Sequence, residues 1–277
     1  MTKTYIYQKE NKLKDKYSSK TNSSQFIYGI KDDEQSFFKK QYSSEAEWKK
    51  FINYRDEWYR RAKNFDASDI PLAVNIELVS TCNLSCNMCY TINKKFQNAV
   101  VGTQRMLPWN IVKKIIDDCS ELGVYNIGFS WRGESTLYKS KDDENNIIKL
   151  YDVFKYARSK NIPEISTLTH GQTFYDEEFA EKVILSQPSW ISISADGFKD
   201  RYNLIRTPTK HKKNKSYNAF DILTKSIKNL IKYREKYNLT LPRLRMNSVF
   251  PALDKDISEY YQYYKNLGID LITINEI

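Results

Sequence analysis

The sequence predicts an α/β fold: a partial (β/α)6 TIM-like barrel with an N-terminal helical extension. Three observations carry this. Six short runs with strand-like patterning alternate with five amphipathic runs at helical spacing. Such alternation implies a parallel sheet with right-handed crossovers, and six units curve into most of a barrel without closing the eight-unit version. The unusual polar residues fall at the C-terminal ends of the strand runs, the rim on which parallel α/β barrels do chemistry. The chain is also long enough, at 277 residues with 40% hydrophobic content, for one large α/β domain plus an extension.

Residues 1–43 are polar and rich in Ser and Lys, with Phe26-Ile27-Tyr28 as a candidate short strand. Ser43-Ser44-Glu45-Ala46-Glu47 reads as a capping signal, and Trp48, Phe51, Ile52, Tyr54, Trp58 and Tyr59 follow at near-helical spacing. A helix over 44–65, packed through this aromatic stripe, is expected. Ile70-Pro71 then marks the entry to the core, which divides the chain into an extension (1–70) and a core (71–277). The first strand is expected in the alternating run Val74–Val79.

The polar segment 91–106 is expected to fold over the site. Pro108 opens a helix in its first turn, with Ile111, Ile115, Cys119 and Leu122 as its apolar stripe and Gly123 as its stop. Cys119 therefore reads as a small core residue. The strand Tyr125–Trp131 ends in Arg132-Gly133-Glu134-Ser135. A helix is expected over 145–159 with Ile147, Tyr151, Phe154 and Ala157 inward, then a strand over 164–168 ending in Thr169-His170-Gly171. A helix over 175–186 precedes the strand Trp190–Ala195, which ends in Asp196-Gly197. A long helix over 217–236, a strand over 243–249, a helix over 256–267 stopped by Gly268, and a strand Leu271–Ile274 complete the series. A barrel strand with no covering helix leaves apolar surface bare, so natural sequence is expected to continue past Ile277.

The formal net charge is +10, a balance that suits an anionic partner but also a solvated basic surface. The basic run Arg206–Lys215 admits the same two readings, the sharper being docking of an acidic or phosphorylated substrate. No apolar run approaches the roughly 18 residues of a membrane span, and Met1–Tyr5 lacks the apolar core of a signal peptide. Clustered cysteines without an export signal point to a reducing cytoplasm.

Three of the four cysteines, Cys82, Cys86 and Cys89, are spaced C-x3-C-x2-C directly after the first strand run. One loop can wrap three such sulfurs around a metal centre, and three thiolates can bind three irons of a cubane cluster and leave the fourth open. The spacing alone also admits a zinc site short of a ligand, or three free thiols. Glu134, Thr169, His170, Ser194, Asp196, Asn247, Asn275 and Glu276 lie at or near the ends of the later strands. His170 and Asp196-Gly197 could equally be turn residues, and Asn247 could satisfy backbone groups.

The cysteine spacing, with Met88 just before the third cysteine, resembles the radical S-adenosylmethionine (radical SAM) superfamily. The resemblance covers about residues 72–277 and is closest to the core of members with an appended cysteine-rich SPASM domain. It implies a [4Fe-4S] cluster on Cys82, Cys86 and Cys89 as both metal ligands and catalytic centre, with S-adenosylmethionine chelated at the open iron. Met88 and Tyr90, flanking Cys89, would face the cofactor. Arg132-Gly133-Glu134 is similar to the family's Gly-Gly-Glu motif with its first glycine replaced, and Glu134 would accept from the methionine amino group. Thr169-His170-Gly171 resembles a Thr-Asn-Gly segment. Ser194 and Asp196, in Ser192–Gly197, would approach the ribose hydroxyls or carboxylate, and Asn247 joins the cofactor set. Arg206 resembles the arginine that pairs with the methionine carboxylate.

The implied activity is reductive cleavage of S-adenosylmethionine to a 5′-deoxyadenosyl radical that abstracts hydrogen from a peptide or sugar-type substrate. A flavodoxin- or ferredoxin-type protein would supply the electron. An auxiliary cluster needs about four more cysteines, and only Cys119 remains. Two other classes stay open on the residues: a zinc-stabilised binding module without turnover, and a basic nucleic-acid-binding or modifying protein, for which no recognised motif is present.

Overall fold

A computed structural model describes residues 39, 42, 44–96, 105–208, 217–253 and 256–275. The candidate strand at Phe26–Tyr28, residues 97–104 of the segment expected over the site, 209–216 of the basic run, and Glu276 lie outside these residues.

The chain enters through helix α1 (Glu45–Asn64), whose N-cap Ser44 accepts from the Glu47 amide, a bond that satisfies one orphan donor of the first turn. Strand β1 follows at Ala73–Asn75, α2 at Trp109–Glu121 and β2 at Asn126–Gly128. A hairpin of β3 (Lys139–Lys141) and β4 (Ile147–Lys149) precedes α3 (Leu150–Ser159). Then come β5 (Glu164–Thr169), α4 (Glu177–Leu185), β6 (Trp190–Ser194), α5 (Asp200–Ile205), α6 (Ala219–Lys236), β7 (Arg243–Val249), α7 (Ile257–Leu267) and β8 (Leu271–Asn275).

The six-stranded sheet runs β1-β2-β5-β6-β7-β8, every neighbouring pair parallel. This is the expected partial barrel: each strand lies beside the one before it in the βαβ series, and helices cover the outside. Buried side chains from the strands (Ile127, Ile165, Ile191, Leu244, Met246, Ile272) meet those of the helices (Val112, Ile116, Val153, Phe154, Ile184, Leu223, Ile227, Leu230) in one core. Gly123 and Gly268 take positive φ at the ends of α2 and α7, as their positions after an apolar stripe imply. No helix among the described residues is long and apolar enough to cross a membrane.

Helix α1 packs across the N-terminal end of the barrel. Trp48, Phe51 and Tyr54 join Trp190 in one buried cluster, with Leu72, Tyr125 and Leu271 against it. Leu72 and Tyr125 immediately precede β1 and β2, and Trp190 and Leu271 open β6 and β8, so the helix plugs the mouth opposite the site. Tyr54 stacks on Tyr125 with ring centroids 4.2 Å apart.

The structure corrects four local expectations. β1 is three residues long; from Ile76 the chain leaves the strand and becomes the approach to the cysteines. Helix α2 buries Val112, Ile116 and Cys119, while Ile111 and Leu122 are exposed and Ile115 packs half-buried against the core; the expected stripe was misphased, and of its members Cys119 alone is fully buried. The helix expected from residue 145 begins at 150. Its first turn is replaced by the β3–β4 hairpin, closed by Asp142, whose carboxylate accepts from the Glu144 and Asn146 amides. Helix α5 was not foreseen: it is a six-residue segment with one buried side chain, Tyr202, too short to show a period.

Candidate metal and cofactor site

At the C-terminal rim, Val79 bridges to Met106 and the chain turns into a loop that carries Cys82, Cys86 and Cys89, all free thiols. The loop is pinned along its length by the segment after β6. The Ser85 amide donates to the Thr207 carbonyl (2.7 Å), Thr207 Oγ1 donates to the Ser85 carbonyl (2.6 Å), the Asn87 amide donates to the Ile205 carbonyl (3.3 Å), and Leu84 bridges to Pro208. Buried main-chain groups of an irregular loop must find partners, and here α5 and its exit supply them.

The sulfurs are held individually. The Leu84 amide donates to Cys82 Sγ (3.4 Å), Arg206 Nη1 to Cys86 Sγ (3.7 Å), and Cys89 Sγ lies 2.8 Å from Thr91 Oγ1. Burial, and after it the Glu134 carboxylate, push the Cys82 thiol up to about 12, with Cys86 and Cys89 adding to the rise. Burial also raises the Cys86 thiol, against the pull of Arg206. The three thiols and one carboxylate thus share a single electrostatic neighbourhood.

Glu134 follows β2 and is 2% exposed. Its Oε1 accepts from the Thr136 amide (3.1 Å), Thr136 Oγ1 (2.7 Å) and Thr169 Oγ1 (2.5 Å); Oε2 accepts from the His170 amide (2.8 Å). A carboxylate offers about four acceptor directions; Oε2 takes one amide donor, has His170 Nε2 3.4 Å away, and retains acceptor capacity for an ammonium. Gly133 is required by close approach. A Cβ there would stand 2.1 Å from the Val79 carbonyl oxygen and 2.7 Å from that of Thr81. The Glu134 amide donates to that same Thr81 carbonyl (2.9 Å), which sews the β2 exit to the cysteine loop. Arg132, at the altered motif position, pairs with Glu77 (2.7 Å) on the approach to the cysteines.

The remaining candidates fall around this centre. Thr169 ends β5 and accepts from the Gly171 amide while donating to Glu134. Asp196 is buried, accepts from the Val249 amide (3.1 Å) through Oδ1 and from Arg206 Nη2 through Oδ2. Arg206, expected to face a carboxylate of the cofactor, is therefore already paired with Asp196 and Cys86. Its Nε is buried with no partner among the described residues. Burial works against its charge, yet Asp196 and Cys86 outweigh this and raise its pKa. Ser194 and Asn247 are register partners on β6 and β7, both half-buried. Met88 and Tyr90 are exposed on the cysteine loop. Asn275 ends β8.

Several residues at the site carried no sequence signal. Asn83 lies between the first two cysteines and meets His170 Nε2 at 2.7 Å. Thr136 and Thr173 extend the Glu134 network. Gln172 links Tyr202 to Tyr217 beneath it. Only Asn83, by its place inside the cysteine spacing, could have been flagged.

The chemistry of the donor set fits a cubane cluster. Cys82, Cys86 and Cys89 are three free thiols on one loop. In a cubane each thiolate binds a different iron, so three neighbouring but separate sulfurs on one loop, without a fourth, are the appropriate set.

The Radical SAM superfamily model matches residues 76–241. Two solved structures share the fold. Native anSMEcpe with bound AdoMet aligns at TM-score 0.54 and 18% identity over 74% of this chain and 52% of that one. SuiB of Streptococcus suis bound to S-adenosylmethionine aligns at TM-score 0.55 and 16% identity over 88% of this chain and 52% of that one. This chain thus spans about half the length of each. No curated protein matches it in sequence.

Proposed function

The chain belongs to the radical SAM superfamily, whose members bind a [4Fe-4S] cluster and S-adenosylmethionine, and we propose that it is a radical SAM enzyme acting on a peptide or sugar-type substrate. One observation carries this reading: three free thiols and a buried carboxylate converge on one barrel rim, within electrostatic reach of one another. When bound, the cluster and S-adenosylmethionine supply one-electron reductive cleavage of the sulfonium to a 5′-deoxyadenosyl radical that takes a hydrogen atom from substrate.

The chain's own residues bind and orient. Cys82, Cys86 and Cys89 hold three irons. Glu134 Oε2 receives the amino group of the methionine moiety, and Arg206, through Nε, meets its carboxylate while Asp196 fixes the guanidinium plane. Thr169 holds Glu134 in place. Ser194, Asp196 and Asn247 serve the nucleoside, and Met88 and Tyr90 flank the open side. The +10 charge suits an acidic flavodoxin- or ferredoxin-type donor in the cytoplasm. The SPASM-like resemblance favours peptide and sugar-type substrates over nucleic acid.

Anaerobic reconstitution of the full chain, followed by reduction in the presence of S-adenosylmethionine, tests the proposal. The expected products are a cubane absorption and EPR spectrum and 5′-deoxyadenosine. Neither should form when Cys82, Cys86 and Cys89 are replaced by Ala. A wild-type chain that takes up zinc and no iron sinks the proposal.

A further inference from the structure

We propose that His170 is a positioning residue that fixes the cysteine loop against the Glu134 carboxylate. The inference rests on the reading above and adds to it a residue that the cofactor-binding set did not include. His170 follows β5 and is buried, 4% exposed. It touches both halves of the site. Its main-chain amide donates to Glu134 Oε2 at 2.8 Å. Its ring is held at both nitrogens: Nδ1 accepts from the Gln172 amide at 3.0 Å, and Nε2 lies 2.7 Å from Asn83 Oδ1 and 3.4 Å from Glu134 Oε2.

The tautomer follows from these partners. With its Nδ1 lone pair taken by an amide donor, a neutral imidazole carries its proton on Nε2. Nε2 then donates to Asn83, the residue next to Cys82. One residue thus ties the carboxylate, through its backbone, and the metal loop, through its side chain. Oε2 is also the carboxylate oxygen with room for an incoming ammonium. A slip of Asn83 would move Cys82 relative to that oxygen, and outer-shell partners of this kind are commonly worth about 10–100-fold in affinity or activity.

The rival account is that the ring only finishes the turn by accepting the Gln172 amide. Two substitutions separate the accounts. The Gln amide nitrogen of His170→Gln reaches about where Nε2 stands, and so keeps the donor to Asn83. The Oδ1 of His170→Asn stands about where Nδ1 stands, and so keeps only the turn.

The test uses the full chain, reconstituted anaerobically. It measures iron and sulfide per chain, and S-adenosylmethionine affinity from the change it causes in the EPR spectrum of the reduced cluster. His170→Ala and Asn83→Ala should each weaken S-adenosylmethionine binding at least about tenfold, and the double variant should be no worse than either, because both remove one contact. His170→Gln should restore binding and His170→Asn should not. Loss of cluster loading in the two Ala variants, restored by Gln alone, supports the proposal equally. If His170→Ala does not fold, the Gln, Asn and Asn83→Ala variants decide the question. Rescue by Asn and not Gln, additive losses, or unaltered binding in the Ala variants overturns the proposal and leaves the assigned function standing. A wild-type chain that loads no cluster rejects both.

Discussion

Gly133 shows how a single position joins the two halves of the rim. Its φ is not in the left-handed region; what excludes a side chain is the Val79 carbonyl, 2.1 Å from where a Cβ would be. Gly133→Ala must push the β2 exit away from the cysteine approach. Overpacking of this kind costs about 1–3 kcal/mol. The expected result is a lower urea midpoint together with poor cluster loading, because the Glu134–Thr81 bond is adjacent. A variant with wild-type loading and stability would contradict this account. Cys119→Ala makes the opposite prediction: it sits in the core on α2, so iron uptake should be unaltered while Cys86→Ala abolishes it. At this scale the sequence pointed to the three cysteines by their spacing and to Glu134 by its place after the second strand and by the family resemblance, and the structure sets these four in one neighbourhood. Contacts between distant positions were not readable. His170 and Asn83 meet because β5 and the approach from β1 end on the same rim, and Arg206 meets Asp196 because an unforeseen short helix, α5, returns the chain to the site.

Elements were readable where a period ran long enough to fix both kind and face. Helix α6 and strand β7 lie where their patterns put them, since each buries a regular stripe. Helix α2 was found but rotated, because Ile111 and Ile115 lie one position before the Val112 and Ile116 that are buried, and an apolar residue on each side gives two candidate faces. The β3–β4 hairpin was missed because its strands are three residues each and its instruction lies in turn chemistry at Asp142, not in a stripe. Between elements, the first turn of α4 is tied to α6 through Glu177, which pairs with Lys225 (3.3 Å) and Lys232 (2.6 Å) and accepts from Tyr233 (3.1 Å). Lys232, then Lys225 and Tyr233, hold its carboxyl at about 2, below the ordinary 4.5. A depressed carboxyl contributes stability above its unfolded pKa and loses it as pH falls through the folded one. The stabilising effect of Glu177 over Glu177→Gln should therefore be constant near neutrality, shrink between about pH 4.5 and 2, and shrink also with added salt, since the pair is solvent-exposed. Melting temperatures of both proteins across that range check it; a difference that grows on acidification would refute the tie.

At the scale of the whole molecule, the two ends of the barrel divide the work. Everything assigned to chemistry stands on the C-terminal rim, while the opposite mouth is closed by α1 over Trp190, Tyr125, Leu72 and Leu271. Beneath that plug lie buried polar groups that open the strands. Glu164 accepts from Asn126 Nδ2 at 2.5 Å, its carboxyl raised by burial with Arg243 opposing, and the Arg243 guanidinium stands 4.3 Å from the Trp190 ring. Helix α1 covers this buried polar layer, and it packs as part of the barrel although the sequence divides it off as an extension. In barrels of this kind, residues at the bottom serve stability and those at the top serve catalysis. Phe51, 4% exposed in the plug, tests that division. Phe51→Ala should cost about 3 kcal/mol, which for a chain of this size lowers the melting temperature by on the order of 10 °C. Below the new transition the variant should still load its cluster and show the full spectral response to S-adenosylmethionine, because Phe51 packs with Tyr42 and Trp48 in the plug at the opposite end of the barrel. A plug variant that kept its stability would refute the stabilising role of the floor, and one that stayed folded yet lost the S-adenosylmethionine response would show that the floor and the rim are coupled.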